Sequence, residues 1–294
     1  MSHLVSIIIP TYSRSNELDR TIKSCLSQSH GNIEIIIVDD NGIKSIFQKI
    51  NEKLINEKYT SDNIKYIIND LNRGGSYSRN IGVENSLGKY LCFLDDDDSF
   101  EPKKVEHQLS YLIKNPNYIA CYCWYDFYNH STKIKSYEPK DEGNLTYEIL
   151  TYKNSVCAGS TLMIKKKIFE TVGGFDESFK RHQDWEFLLC LFRKGFKIGL
   201  VKEQLVRIHR ESRINEGSLE EYISFKSVFL NKFKKDIETS VYKDEILMYQ
   251  SLDLSLRFFK DKYYNEGFSH LKKANNYKFI GIKNILRVFK SILA

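Results

Sequence analysis

Tyr90-Leu91-Cys92-Phe93-Leu94-Asp95-Asp96-Asp97-Asp98 is the stretch that decides how this chain is read. Its first five residues are apolar and aromatic-rich, the composition of a buried strand. The four aspartates behind them cannot join a core, because burying unpaired charge is too costly. They also repel one another unless a cation sits among them. Divalent, oxygen-preferring ions are usually held by one or two carboxylates together with substrate phosphates, so a metal at the strand end would resolve the conflict. A solvated acidic turn, with Ser99 and Pro102 opening the next helix, is the competing reading.

Working outward, the first hundred residues alternate short β-type runs with helical patterns. Strands are predicted over 5–9, 33–38 and 64–68, and helices over 15–29, up to about 58, and from Gly75 to about 86. Such alternation, with continuous apolar strands, predicts an α/β fold: a Rossmann-like, mainly parallel sheet covered by helices on both faces. Ligands of such sheets bind outside the carboxyl ends of the strands. Asp39-Asp40, Asn72-Arg73 and the aspartates 95–98 all fall there, so three polar clusters converge on one edge.

From 102 to about 210 the pattern is mixed. It contains a helix to 115, an aromatic strand over 118–125, an apolar run over 160–164, a turn at Gly173-Gly174-Phe175-Asp176, and a helix over 184–194 closed by Gly195. Beyond Ser212 the chain turns helical and rich in Lys, Glu, Phe and Tyr. A division into 1–212, with halves of about 1–100 and 101–212, and a helical region 213–294 follows. No internal repeat or low-complexity tract is present.

The 294 residues are 41% hydrophobic and 13% aromatic, enough for a sizeable core. The net charge of +6 matters less than its placement: no acidic residue follows Glu266, while Lys272, Lys273, Lys278, Lys283, Arg287 and Lys290 do. That asymmetry points to an anionic partner for the tail, a membrane surface before a nucleic acid, which is not expected. Cys25, Cys92, Cys121, Cys123, Cys157 and Cys190 match no zinc spacing and read as reduced structural residues. The N-terminus lacks a basic, cleavable leader and no apolar run is long enough to span a membrane. A cytoplasmic protein that touches the inner face of the cell membrane is therefore expected.

The segments VSIIIPTYSR, IIIVDDNG, LNRGGSYSRNIG, YLCFLDDDD, GGFDESF and HQDWEFLLCLFRKG occur in this order. Together they closely resemble the inverting glycosyltransferases of family 2, which have the nucleotide-sugar-binding GT-A fold. The likeness covers about residues 4–210. It implies transfer of a single sugar from a nucleotide-sugar donor, typically UDP-linked, to a saccharide or lipid-linked saccharide acceptor, with Mn²⁺ or Mg²⁺.

The resemblance places Pro10, Thr11 and Tyr12 around the base and ribose, where Tyr12 either stacks or serves as a structural aromatic. It gives Asp40 a contact to the base; capping the following helix is the competing role. Arg73 falls where the family often sets a cation near the nucleotide. Within the DxD-type tetrad, Asp95 corresponds to a ribose contact, Asp97 to the metal ligand and Asp96 to a supporting carboxylate, with Asp98 as the start of the next helix. Asp184 corresponds to the catalytic base, which must deprotonate the acceptor hydroxyl as it attacks the anomeric carbon. Gln183 stands where the family more often has Glu, which removes a neighbouring charge; helix capping is the competing role for Asp184. His209 resembles a late histidine that completes the metal or diphosphate site, and Arg207, Arg210 and Arg213 are candidate diphosphate holders.

Ile282, Ile285, Leu286, Phe289, Ile292 and Leu293 recur at helical spacing with Lys283, Arg287 and Lys290 between them, the composition of an interfacial amphipathic helix. A helix packed on the protein explains the apolar face equally well. The QxxRW pattern of processive family members is absent. Two other classes compete: a nucleotide-sugar-binding protein without catalysis, and a nucleotidyltransferase, for which Pro10-Thr11-Tyr12-Ser13-Arg14-Ser15 is a poor phosphate loop.

Overall fold

A computed structural model describes residues 3–153, 159–209 and 217–293. Cys157, Arg210 and Arg213 lie outside the described residues. The chain forms two compact units, one of 1–144 with 155–213, the other of 145–154 with 214–294. The second unit is thus discontinuous, since a short segment from the middle of the chain joins the C-terminal helices.

The first unit is built on one sheet. Strand β1 (Val5–Thr11) pairs in parallel with β2 (Ile33–Asp39), in register from Val5 opposite Ile33 to Thr11 opposite Asp39. Strands β3 (Ile64–Ile68) and β4 (Tyr90–Phe93) add in parallel on either side. This is the parallel sheet that the apolar runs predicted, and β1, β2 and β4 are largely buried while the edge strand β3 is half-buried. On α1 (Ser15–Leu26), Leu18, Ile22 and Cys25 face the sheet residues Val5, Ile7 and Ile9. Helices α2 (Ile46–Lys58), α3 (Gly75–Glu84) and α4 (Lys104–Lys114) complete this part.

Beyond β4 the sheet becomes mixed. Its order is β3-β2-β1-β4-β8-β6-β9-β5, with β7 paired to β6. Strand β5 (Ser99–Phe100) runs antiparallel to β9 (Ile198–His209), and β8 (Met163–Lys165) runs antiparallel to β4 and to β6 (Ala120–Asn129). β6 and β9 are parallel, and β7 (Thr132–Tyr137) forms a hairpin with β6. β9 was not anticipated: its register against β6 slips beside Trp124, and Lys202 and Glu203 break the apolar alternation there. Helix α5 (Thr146–Leu150) belongs to the second unit, whereas α6 (Lys166–Val172) and α7 (Gln183–Arg193) flank the sheet. α7 ends as predicted, with Gly195 at φ +78° just past its last turn.

Cys25, Cys92, Cys121 and Cys123 are buried thiols outside any disulfide, and burial pushes Cys25 and Cys123 up to about 12. They are inert packing groups, in line with the sequence expectation.

The second unit contains α8 (Leu219–Lys232), α9 (Lys234–Thr239), α10 (Lys243–Lys260), α11 (Tyr264–Tyr277) and α12 (Ile282–Leu293). Ser218 opens α8 with a reciprocal capping box to Glu221. Met248, Leu252, Phe259, Ala274, Ile280 and Val288 form a core. Beside it Lys226, 3% exposed, binds the carboxylate of Asp253 and donates to Tyr152 Oη at 2.8 Å, while Tyr222 Oη also donates to Asp253. Gln250 accepts from Tyr152 at 2.8 Å and donates to the carbonyl of Leu150 at 2.6 Å. These bonds hold the 145–154 segment in the unit. No described helix is long and apolar enough to cross a membrane.

Candidate active site

The carboxyl ends of β1, β2 and β4 meet at a cleft of about 250 Å³. Pro10, Thr11, Tyr12, Asp40, Asp95 and Asp96 line it, together with Arg14, Gly75, Ser78 and Arg79. Six of the seven expected substrate-binding residues therefore share one cavity. The exception is Arg73. Its guanidinium pairs with Asp70 at 3.1 Å on the surface, and it lines a neighbouring depression with Asn72, Gly74, Gly75 and Gln183.

Asp40 is 3% exposed and heavily used. It accepts from Asn69 Nδ2 at 2.7 Å, from the backbone N–H of Arg73 at 2.9 Å and from that of Gly74 at 2.7 Å. Four lone-pair sites on a carboxylate leave about one for a ligand. Asp40 thus fastens the end of β2 to the loop that opens α3. The helix that follows it in sequence, α2, is capped by Ser45 instead.

The four aspartates are not equivalent. Helix α1 holds their backbone: Thr21 Oγ1 lies 2.8 Å from the carbonyl oxygens of both Asp96 and Asp98, and Arg20 donates to that of Asp97 at 2.7 Å. Asp96 accepts from the N–H of Tyr12 at 3.1 Å and from Arg14 Nη1 at 2.9 Å, and the same Arg14 nitrogen is 3.1 Å from Asp97. Burial pushes Asp96 up to about 6 despite the opposing pull of Arg14. Asp98 does not start a helix: it is 2% exposed, β5 follows at once, and α4 begins only at Lys104. It accepts from Ser160 Oγ at 2.5 Å and from the N–H of His209 at 3.2 Å. Burial, reinforced by the charges of Asp95 and Asp97, raises its carboxyl well above the ordinary range.

Carboxylate oxygens of Asp95, Asp97 and Asp98 lie within 4.8 Å of one another. Three mutually close carboxylate oxygens, one of them on the buried Asp98, fit a small divalent cation. Gly159 presses against the group: a Cβ there would sit 3.0 Å from both Asp95 oxygens. The His209 ring is not in this group, because Nε2 faces Ser99 Oγ at 3.3 Å and the ring packs against Tyr128. Arg207 is likewise turned away, onto Glu101.

Asp184 lies in the first turn of α7 but does not cap it; that position belongs to His182, held at φ +58° with its ring stacked on Trp185. Asp184 is half-buried, and burial raises its pKa above the ordinary aspartate range; Arg79 opposes the shift and Asp95 adds to it. Arg79, in the middle of α3, donates to Asp95 Oδ1 at 2.6 Å and to Gln183 Oε1 at 2.9 Å. It therefore links the aspartate turn to the start of α7. Sequence reasoning missed both Arg79 and Arg14. Their signal was a cation inside the quoted segments SYSRNIG and IPTYSR, each next to predicted site residues.

The fold and site together define an α/β protein with a cleft and an acidic cluster at the carboxyl ends of its strands and a further carboxylate, Asp184, at the start of α7. The family model described as Glycosyl transferase family 2 matches residues 6–173. An uncharacterized glycosyltransferase of Rickettsia prowazekii is 34% identical over 244 residues, covering 80% of this chain and 74% of its own. The amylovoran biosynthesis glycosyltransferase AmsB of Erwinia amylovora is 25% identical over 262 residues, 87% of this chain and 85% of its own. Among solved structures, S. aureus TarS 1–349 in complex with UDP-GlcNAc superposes with a TM-score of 0.64 over 98% of this chain and 79% of that one, at 16% identity, a likeness of fold. The chain belongs to glycosyltransferase family 2 and is a glycosyltransferase with a GT-A fold.

Proposed function

We propose that this enzyme moves one sugar, with inversion, from a UDP-sugar to a saccharide or lipid-linked saccharide acceptor in the assembly of a bacterial surface polysaccharide. The observation that carries the reading is the Arg79 bridge, which joins Asp95 of the cleft at 2.6 Å to Gln183 at 2.9 Å and so sets the first turn of α7, with Asp184, near the cleft. The uridine assignment is supported by TarS, solved with UDP-GlcNAc and with UDP. The polysaccharide assignment is supported by AmsB.

Asp184 takes the proton from the acceptor hydroxyl, and its raised pKa makes it a stronger acceptor than an ordinary aspartate. Tyr12, Thr11 and Pro10 form the wall for base and ribose, with the remaining lone pair of Asp40 at its floor. Asp97, with Asp95 and Asp98, would hold Mn²⁺ or Mg²⁺, which when bound neutralises the departing diphosphate. His209 keeps Asp98 in place through its backbone N–H. Arg14 and Arg79 pair with aspartate carboxylates of the cleft, and we assign them to orient the donor's charged end. Catalysis belongs to 1–212, and the helical region 213–294 brings the enzyme to the inner face of the membrane.

Asp184→Asn tests this. Transfer should fall by about 100- to 10,000-fold, the range expected when a positioned general base is lost. Metal-dependent donor binding, read by calorimetry, should stay within a few-fold. Retained turnover would sink the base assignment, and turnover absent from the wild type across UDP-sugars would favour a non-catalytic nucleotide-sugar-binding protein.

A further inference from the structure

Helix α12 uses its surface in three rows, each spaced i, i+4, i+7. Asn284, Val288 and Ser291 form the packed row: Val288 is 4% exposed in the core of the second unit, and Ser291 Oγ donates to the carbonyl of Leu256 at 3.1 Å. Ile282, Leu286 and Phe289 form an apolar row that is left outside, at 74%, 56% and 58% exposed. Phe279, 78% exposed, lies in the connection just before the helix. Lys283, Arg287 and Lys290, all exposed, form the third row between the other two. The amphipathic pattern therefore does not resolve into a choice between core packing and exposure. Val288 and Ile292 meet the core requirement, and a second apolar row remains beyond it.

Such a row would be costly in water without a partner, and its surroundings say which partner. Three cations run alongside it, and no acidic side chain follows Glu266. Lys278, at the root of the helix, is held by Glu245 at 2.6 Å, so the end of α11 is fixed to α10. A protein groove would supply apolar contact but gives no reason for a one-sign flank. An anionic bilayer supplies both, with acyl chains for the apolar row and headgroups for the cations. Twelve residues make a helix of about 18 Å, too short for a hydrocarbon core of about 30 Å, so the helix lies along the surface.

We infer that α12 is an interfacial anchor for anionic lipid, with Phe279, Ile282, Leu286 and Phe289 entering the acyl boundary and Lys283, Arg287 and Lys290 bound to headgroups. This deepens the membrane-contact part of the reading above, naming the lipid class and the inserting residues, and it does not depend on the sugar chemistry. The test is co-sedimentation of the full chain with phosphatidylcholine vesicles, with and without phosphatidylglycerol. Binding should require the anionic lipid and weaken with salt. A cation near such a surface is worth roughly fivefold in partitioning, so Lys283→Glu/Arg287→Glu/Lys290→Glu should lose at least about 100-fold. Ile282→Ser/Leu286→Ser/Phe289→Ser should lose at least about tenfold. All six positions are exposed, and unchanged melting curves would show that the variants fold.

Equal binding to neutral and anionic vesicles, or full binding by either triple variant, would overturn the inference. So would light scattering that shows a dimer of the wild type abolished by the serine variant, which would make the row an interface between copies. Donor binding measured on the same samples separates the two readings: its loss with vesicle binding intact counts against the transferase assignment alone.

Discussion

Two of the places where the protein buries charge treat it in opposite ways. In the second unit, Lys226 meets Asp253 directly, and two tyrosine hydroxyls and Gln250 take up the remaining bonds. In the first, four carboxylates share a strand end with Arg14 and Arg79 beside them, and Asp96 and Asp98 are both pushed up. One cluster has a partner for its cation and is closed. The other sets four carboxylates against Arg14 and Arg79 among the described residues. Unresolved electrostatic conflict at a strand end is the mark of a binding site, and resolved conflict the mark of architecture.

That contrast can be broken most readily at the closed cluster. Asp253→Asn leaves a buried lysine without its counter-charge and should destabilise the second unit by about 3 kcal/mol, the low end for a broken buried pair because Asp253 is partly exposed. Lys226→Met combined with Asp253→Leu should recover most of that loss in urea unfolding, since an apolar replacement needs no charge partner. A neutral Asp253→Asn would remove the distinction between the two clusters.

At the open cluster the sign should reverse. Asp98→Asn retains an acceptor for the His209 N–H while removing a charge that its neighbours oppose. In metal-free protein it should therefore stabilise, by about 2 kcal/mol, or several degrees in melting temperature. The same variant should lose much of the stabilisation that Mn²⁺ gives the wild type. A destabilised metal-free Asp98→Asn would mean that the carboxylate is satisfied as it stands.

The smallest effect concerns pH. The folded pKa of Asp96, about 6, lies above its unfolded value, so the folded state holds this proton more tightly. Its stabilising share is full below the ordinary aspartate range and is lost as pH rises through about 6. Metal-free protein should accordingly gain about 1 kcal/mol between pH 7 and 5 relative to Asp96→Asn. Saturating Mn²⁺ should flatten or reverse that slope, because metal and proton compete for the cluster. Identical slopes with and without Mn²⁺ would count against a metal among these aspartates.

The parallel half of the sheet was legible because continuous apolar strands between helices have few other readings, and the loops at its carboxyl ends carried their own polar signatures. The mixed half was not. The slip in β9 hides its periodicity, and β7 is an exposed hairpin strand whose lysines look like loop. Asp98 was misplaced because an acid before Ser99 resembles a helix start, whereas the chain spends it inside, under Ser160 and the His209 N–H. Arg79 was invisible for a related reason: a charged residue within a helical pattern is read as solvent-facing, and only the fold shows that this face of α3 looks onto Asp95.

The discontinuity of the second unit has a consequence for how the protein is made. The whole sheet of the first unit has been synthesised once His209 emerges, while the 145–154 segment still lacks the helices that hold it. The carbonyl of Leu150 waits for Gln250, 100 residues later. At about 5–20 residues per second that is a delay of roughly 5–20 s. Throughout it the apolar side chains of Ile149 and Leu150, both fully covered in the finished protein, stand open on the nascent chain. A ribosome stall in that interval would leave a finished catalytic sheet with a sticky loop, a species suited to chaperone capture.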